Sequence, residues 1–223
     1  MVVDSDGFQV KNLTISNDLD ESSLARQADL RAAALLTQGD QIVFENVRIL
    51  AYRYTALFQS SDPTVVARTY IKDSHIEGDS QFLTGRGTVV IDNSEIRLVT
   101  KRIPRLERET GLRIGSMIAA STAAQNPHGF LVIGSKLTFD PLDDYPVGWA
   151  LLGRSWDVGA DPYVLGVSVN GQVVIRECEL ASHIRLNSPW GMALPDNADV
   201  PLRHFDVMGN RLYEYQNTGP GAA

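Results

Sequence analysis

The sequence predicts an all-β solenoid, a chain wound into a coil of short parallel strands with each turn stacked on the last. Three observations predict it. One pattern, apolar, any, apolar, two turn-like residues, small or apolar, any, apolar, recurs six times along the 223 residues. The halves of each copy have period two, which reads as a strand with one buried face. The residue before the second half is mostly of a type that tolerates a left-handed backbone, so the chain bends sharply there. The rival all-β reading, an antiparallel sandwich, would favour Asn-Gly hairpin turns, and Asn170-Gly171 is the only Asn-Gly pair.

Taken in order, the first copy is Phe8, Val10, Leu13 and Ile15, and the second is Ile42, Phe44, Val47 and Ile49. Thr69, Ile71, Ser74 and Ile76 make the third, and Val89, Ile91, Ser94 and Ile96 the fourth. Phe130, Val132, Ser135 and Leu137 follow, then Val173, Ile175, Cys178 and Leu180. The corner residues are Asn12, Asn46, Asp73, Asn93, Gly134 and Glu177. Between copies, Leu19 to Leu36 is alanine-rich and charged and suits a helical turn or a long loop. Lys101 to Glu109 is a charged loop broken by Pro104, and Asp140 to Gly148 and Asp157 to Asn170 are loops long enough to wall a groove. From about residue 189 to 223 the pattern fades into a tail expected to cap the coil. The whole chain, 1–223, reads as one domain.

A stretch with chemical character is His75 to Gly87, HIEGDSQFLTGRG, where Glu77, Asp79 and Gln81 alternate. In a continuous strand these three would project from one face. The net charge of −7 argues against a nucleic-acid binder, which would need a basic face, and gives no help in binding a polyanion. The single cysteine, Cys178, cannot form an intrachain disulfide and sits at a core position of its copy. His75, His128, His183 and His204 lack metal-ligand spacing, so neither a metal nor any other cofactor is expected. Ser121 has no evident histidine partner for a nucleophilic role, and Gly85 to Gly87 is too short for a phosphate loop. No charged and apolar leader opens the chain, and no stretch approaches a membrane span.

With the copies in register, the chain resembles the pectin methylesterase family, carbohydrate esterases with a right-handed parallel β-helix. The resemblance is carried in order by Ala32 to Tyr52 (AAALLTQGDQIVFENVRILAY), His75 to Ile96, Gly129 to Leu137, Leu151 to Trp156 (LLGRSW), Gly171 to Leu180 and Glu214 to Ala222. The bacterial branch is nearest. The family's N-terminal segment has no counterpart here, which implies a missing segment, a partner (self-association at that end of the solenoid included) or a degenerate cap. The resemblance also implies an extracellular or cell-envelope location and a polysaccharide partner, a pectin-like polyuronide.

By the same resemblance, the family's two catalytic aspartates correspond to Gln81 and Tyr54, and its anion-stabilising glutamines to Arg31 and Arg53. Of the LGRPW motif, the arginine and the tryptophan are kept as Arg154 and Trp156. The spacing agrees: Tyr54 lies five residues after Ile49, and Gln81 five after Ile76. Equivalent positions on successive turns stack about 4.8 Å apart. An amide neither titrates nor attacks an ester as a carboxylate does, and an ordinary tyrosine, near pKa 10, is a poor acid-base group at neutral pH. Asp79 is the nearest carboxylate that could take over, with a solvated or turn-capping role as the alternative. Arg154 is expected over a groove, Trp156 as a platform for a sugar face, and Arg31 and Arg53 beside a uronate carboxylate. Three readings stay open: an active esterase, a non-catalytic carbohydrate-binding relative, and a purely structural β-helix module.

Overall fold

The computed structural model describes residues 1–19, 33–62, 64–99, 115–142, 146–156, 164–191 and 209–223. These form twenty strands and no helix. The first sheet holds β1 (Val2–Val3), β4 (Leu35–Thr37), β7 (Ala56–Phe58), β10 (Leu83–Gly85), β13 (Ser116–Ala120), β16 (Leu151–Ser155) and β19 (Trp190–Gly191). The second holds β2 (Gln9–Lys11), β5 (Ile42–Glu45), β8 (Arg68–Lys72), β11 (Thr88–Asp92), β14 (Phe130–Ile133), β17 (Gln172–Arg176) and β20 (Arg211–Tyr215). The third holds β3 (Thr14–Ser16), β6 (Arg48–Leu50), β9 (His75–Gly78), β12 (Glu95–Leu98), β15 (Lys136–Phe139) and β18 (Glu179–Leu180). Strand number advances by three across every sheet and all named pairings are parallel, so each turn of chain gives one strand to each sheet. This is the parallel β-helix that the sequence predicts.

The repeating pattern supplies the core. Phe44, Ile71, Ile91, Val132 and Ile175 stack in register inside the second sheet. Ile49, Ile76, Ile96, Leu137 and Leu180 do the same inside the third. All ten are fully buried, and each contributes roughly 1.5–3 kcal/mol of hydrophobic stabilisation. The first copy is looser: Leu13, on the outermost described turn, is 40% exposed.

Between the second and third sheets, all six predicted corner residues are left-handed, with φ from 45° at Asn93 to 58° at Asn12 and Gly134. Their side chains form an amide ladder in which Asn46 Nδ2 donates to Asn12 Oδ1 at 2.7 Å and Asn93 Nδ2 to Asp73 Oδ1 at 2.6 Å. Beside it runs a hydroxyl ladder. The Ser74, Ser94 and Ser135 hydroxyls accept the backbone N–H of Val47, Ser74 and Ser94 at 3.0–3.1 Å. Cys178 continues this ladder, donating to the Arg176 carbonyl at 3.1 Å, and burial pushes its thiol up.

Part of the tail stacks as a further turn. β20 pairs with β17 along its length, placing Leu212 on Val173 and Glu214 on Ile175, and Gln216 takes the left-handed corner at φ 50°. Glu214 thus occupies a position that is apolar in every earlier copy, and its burial pushes the carboxyl up. The predicted loop Lys101 to Glu109 and most of the Leu19 to Leu36 stretch lie outside the described residues.

Candidate active site

The connection from the third sheet back to the first carries the predicted residues. β9 ends at Gly78, where any side chain would collide with the Phe82 Cβ and the Tyr52 carbonyl. The strand therefore stops, and Gln81 turns the chain with φ 49°. This corrects the expectation that Glu77, Asp79 and Gln81 share one direction. Glu77 belongs to the outer side of β9, where its Oε2 lies 3.0 Å from His75 Nε2, whereas Asp79 and Gln81 are buried. The break at Gly78 and the left-handed turn at Gln81 end the alternation.

One turn earlier, Tyr54 is also left-handed, with φ 58°. Arg53 bridges Ser80 in parallel, and Ala56 pairs with Leu83, so Tyr54 and Gln81 hold equivalent places on adjacent turns. Neither residue type is cheap in that conformation, and for an aromatic it is a conspicuous departure. A fixed, costly backbone at both positions marks the corner as a candidate site.

Two guanidiniums hold these two side chains. Arg154 Nη2 donates to Gln81 Oε1 at 2.7 Å, although Arg154 sits on β16, two turns from β10. Ala119, directly opposite Arg154 on the intervening β13, is a small residue that leaves the path across that strand open. The sequence carries no signal of this, because either alanine of SMIAA looks like ordinary core. Arg53 Nη2 donates to Tyr54 Oη at 3.1 Å, and its guanidinium carbon lies 4.8 Å from the ring centroid. The two contacts draw four predicted residues into two linked pairs on neighbouring turns.

Asp79 lies two residues before Gln81, with its backbone N–H on the Tyr52 carbonyl at 3.0 Å and its Oδ1 shut off from solvent. Trp156 follows Arg154 by two residues, and its N–H donates to the Ala120 carbonyl at 2.8 Å. Its indole is buried, so the expected open platform is largely covered. Tyr54, Asp79, Gln81 and Arg154 are likewise less than a tenth exposed. They form a packed cluster where an open groove was expected. Arg31 lies outside the described residues. A cavity of about 380 Å³, lined by Gln9, Val43, Arg68, Tyr70, Thr88 and Val90 on the second sheet, contains none of these residues.

The outer face of the third sheet carries a separate ionic cluster. His75 Nδ1 lies 2.9 Å from Glu95 Oε2, while Arg97 and Thr138 donate to Glu95 Oε1 at 2.8 Å. Burial raises the Glu95 carboxyl, but hydrogen bonds from Arg97, Thr138 and His75 outweigh it and hold the group down at about 2.

An amide and a phenol, each clamped by an arginine, thus stand on adjacent turns of a right-handed parallel β-helix. No protein-family model matches the chain. A pectinesterase of Ralstonia solanacearum is 37% identical over 227 residues, covering 99% of this chain and 54% of that protein. Pectinesterase B of Dickeya dadantii is also 37% identical, over 95% of this chain and 49% of its own length. The solved rice weevil pectin methyl esterase superposes with a TM-score of 0.80 at 28% identity, over 99% of this chain and 58% of that one. The chain is a relative of the pectin methylesterase family, and it spans about half the length of the curated relatives it matches.

Proposed function

We propose that this chain is a pectinesterase-like module that binds a pectin-like polyuronide outside the cell without hydrolysing its esters. The observation that carries this reading is the pair Tyr54 and Gln81, left-handed on adjacent turns and each hydrogen-bonded to an arginine. Hydrolysis through an acyl-enzyme needs a nucleophile and a separate proton donor of matched pKa. Gln81 offers neither. Asp79, the carboxylate nearest in sequence, has its Oδ1 closed off from solvent. Loss of a nucleophile elsewhere has cost about 10⁶ in turnover.

Methanol release from methyl-esterified pectin tests the absence of hydrolysis. No release above buffer is expected, and sustained release that disappears in Asp79→Asn would instead make Asp79 the nucleophile. Calorimetric titration with oligogalacturonides tests binding, and saturable heat is expected. The burial of Tyr54, Gln81, Arg154 and Trp156 favours one competing reading, a purely structural β-helix. Absence of binding to any uronide oligomer, combined with concentration-dependent sedimentation, would favour that competitor.

A further inference from the structure

We infer that the outer face of the second sheet is a separate binding site, a track for an uncharged β-1,4-linked polysaccharide laid along the axis of the coil. Register defines the track. Val43, Tyr70, Val90, Leu131, Val174 and Tyr213 pair in one unbroken row across the sheet. The residues that follow them, such as Phe44, Ile71 and Ile91, are buried, so the row itself points outward. Tyr213, at its far end, is 56% exposed. Polar positions border the row roughly 7 Å to either side, with Arg68, Thr88 and Gln172 along one margin and Lys72, Asp92 and Arg176 along the other. The apolar strip is therefore one side chain wide. A packed helix buries a broader stripe, whereas a pyranose ring, apolar on its faces and hydroxylated round its edge, fits a single row with polar margins.

Tyr70 is held in a particular way. Its Oη donates to Asp92 Oδ2 at 2.7 Å, and Asp92 lies two residues beyond Val90, the partner of Tyr70 on the next strand. The ring therefore leans across the sheet face and is fixed there. It lines the cavity of about 380 Å³, where the side-chain amides of Gln9 and Gln41 make no hydrogen bond to the described residues. A fixed aromatic ring with unengaged amides beside it meets both the apolar face and the hydroxyls of a sugar. The period matches as well. Positions along the row repeat every 4.8 Å or so, and an extended β-1,4-linked chain advances by about one such spacing per sugar. Tyr70 and Tyr213 lie four strand steps apart, so about five sugars span the two rings. Charge decides which sugar. Lys11 is paired with Glu45, Arg68 with Asp40, Lys72 with Asp73 and Arg176 with Glu177. Arg211 is engaged by the Asn126 carbonyl and Asn170 Oδ1. A uronate would find no unengaged cation among these groups, and Asp92 and the net charge of −7 would repel it. An uncharged chain meets neither obstacle.

Calorimetric titration of the whole chain with cellohexaose, xylohexaose and mannohexaose, beside a de-esterified galacturonide hexamer, tests the track. Saturable binding of at least one uncharged hexamer is expected. For that sugar, affinity should rise at least tenfold from trimer to pentamer and little beyond, since the pentamer reaches both rings. Tyr213→Ala, at an exposed position, should weaken the uncharged hexamer at least fivefold. Tyr70→Phe, which frees the ring from Asp92, should cause a smaller loss. Neither substitution should change binding of the galacturonide hexamer. Failure of every uncharged hexamer to bind, affinity independent of length, or unchanged affinity in Tyr213→Ala would overturn the inference and leave the polyuronide reading standing. Loss of galacturonide binding in Tyr213→Ala would overturn it by giving the track to the charged chain. A sedimenting dimer that Tyr213→Ala dissolves would overturn it by giving the row to a second copy.

Discussion

Two corners of the coil share a backbone conformation and differ in almost everything else. Between the second and third sheets, the left-handed residues are chiefly Asn, Asp and Gly, and their side chains pair from turn to turn. Between the third and first sheets, the left-handed residues among those described are Tyr54, Gln81, Gly148 and Ser188, three of them neither Asn, Asp nor Gly. Asn and Asp enter that region readily because their short polar groups bond locally, whereas other side chains are strained there by roughly 1–2 kcal/mol. At the first corner, therefore, the side chain serves the turn. At the second, the turn is strained, and arginine contacts offset the strain, since a hydrogen bond to a charged group is worth about 1.5–3 kcal/mol. The difference separates a corner whose side chains bond to one another from one whose side chains are tied to arginines.

The largest effect expected from this contrast is on acid stability, because the second corner also carries a buried titrating group. His183 is 1% exposed, its ring 5.2 Å from that of Phe139, and burial holds it down at about 4 against 6.5 when free. The folded pKa lies below the unfolded one, so the unfolded chain binds more protons between pH 6.5 and 4. Stability should fall as pH drops through that window, by on the order of 3 kcal/mol in full. Glu95, held down at about 2 against 4.5, extends the loss as pH falls from 4.5 towards 2. Urea midpoints at pH 7, 5.5 and 4 read this directly, and His183→Gln should flatten the upper part of the slope. A midpoint unchanged between pH 7 and 4 would show that His183 is not held neutral by its surroundings.

The amide corner should show the next largest effect. Asn93→Val places a β-branched residue at φ 45° and removes the amide donor to Asp73. A loss of about 2 kcal/mol is expected. Asn93→Gly removes the donor without the backbone strain and should lose about half as much. Equal losses from the two variants would mean that the left-handed backbone carries no cost here.

The fold was legible because the coil repeats its demands. Each turn needs the same buried positions and the same left-handed corner, so six copies of one pattern line up in the sequence itself. The seventh copy was not legible, because Glu214 and Asn217 stand where earlier copies have Ile175 and Cys178. The spacing of Tyr54 and Gln81 gave their register, since both lie at a fixed distance from buried isoleucines. Their burial and their arginine partners could not be read that way. Arg154 reaches Gln81 across 73 residues, and the small side chain that keeps its path open, Ala119, has no signature in a strand of small and apolar residues. The shared face predicted for Glu77, Asp79 and Gln81 failed for a local reason: Gly78 ends the strand between them.

A reciprocal exchange between the corners should give the smallest change in stability and the clearest separation of roles. Gln81→Asn installs the amide corner's preferred residue, which relieves backbone strain at φ 49° but shortens the side chain that reaches Arg154. Relief and loss are of similar size, so a net change within about 1 kcal/mol is expected. Asn93→Gln does the reverse, adding strain and pushing the amide past Asp73 with no arginine to compensate, and should cost about 1 kcal/mol. Oligogalacturonide affinity should move the other way, falling for Gln81→Asn and staying constant for Asn93→Gln. If both exchanges cost the same in urea melts and neither changes affinity, the two corners are equivalent. Gln81 would then be held by Arg154 merely to close the turn, and the strain at Tyr54 would have no ligand to explain it.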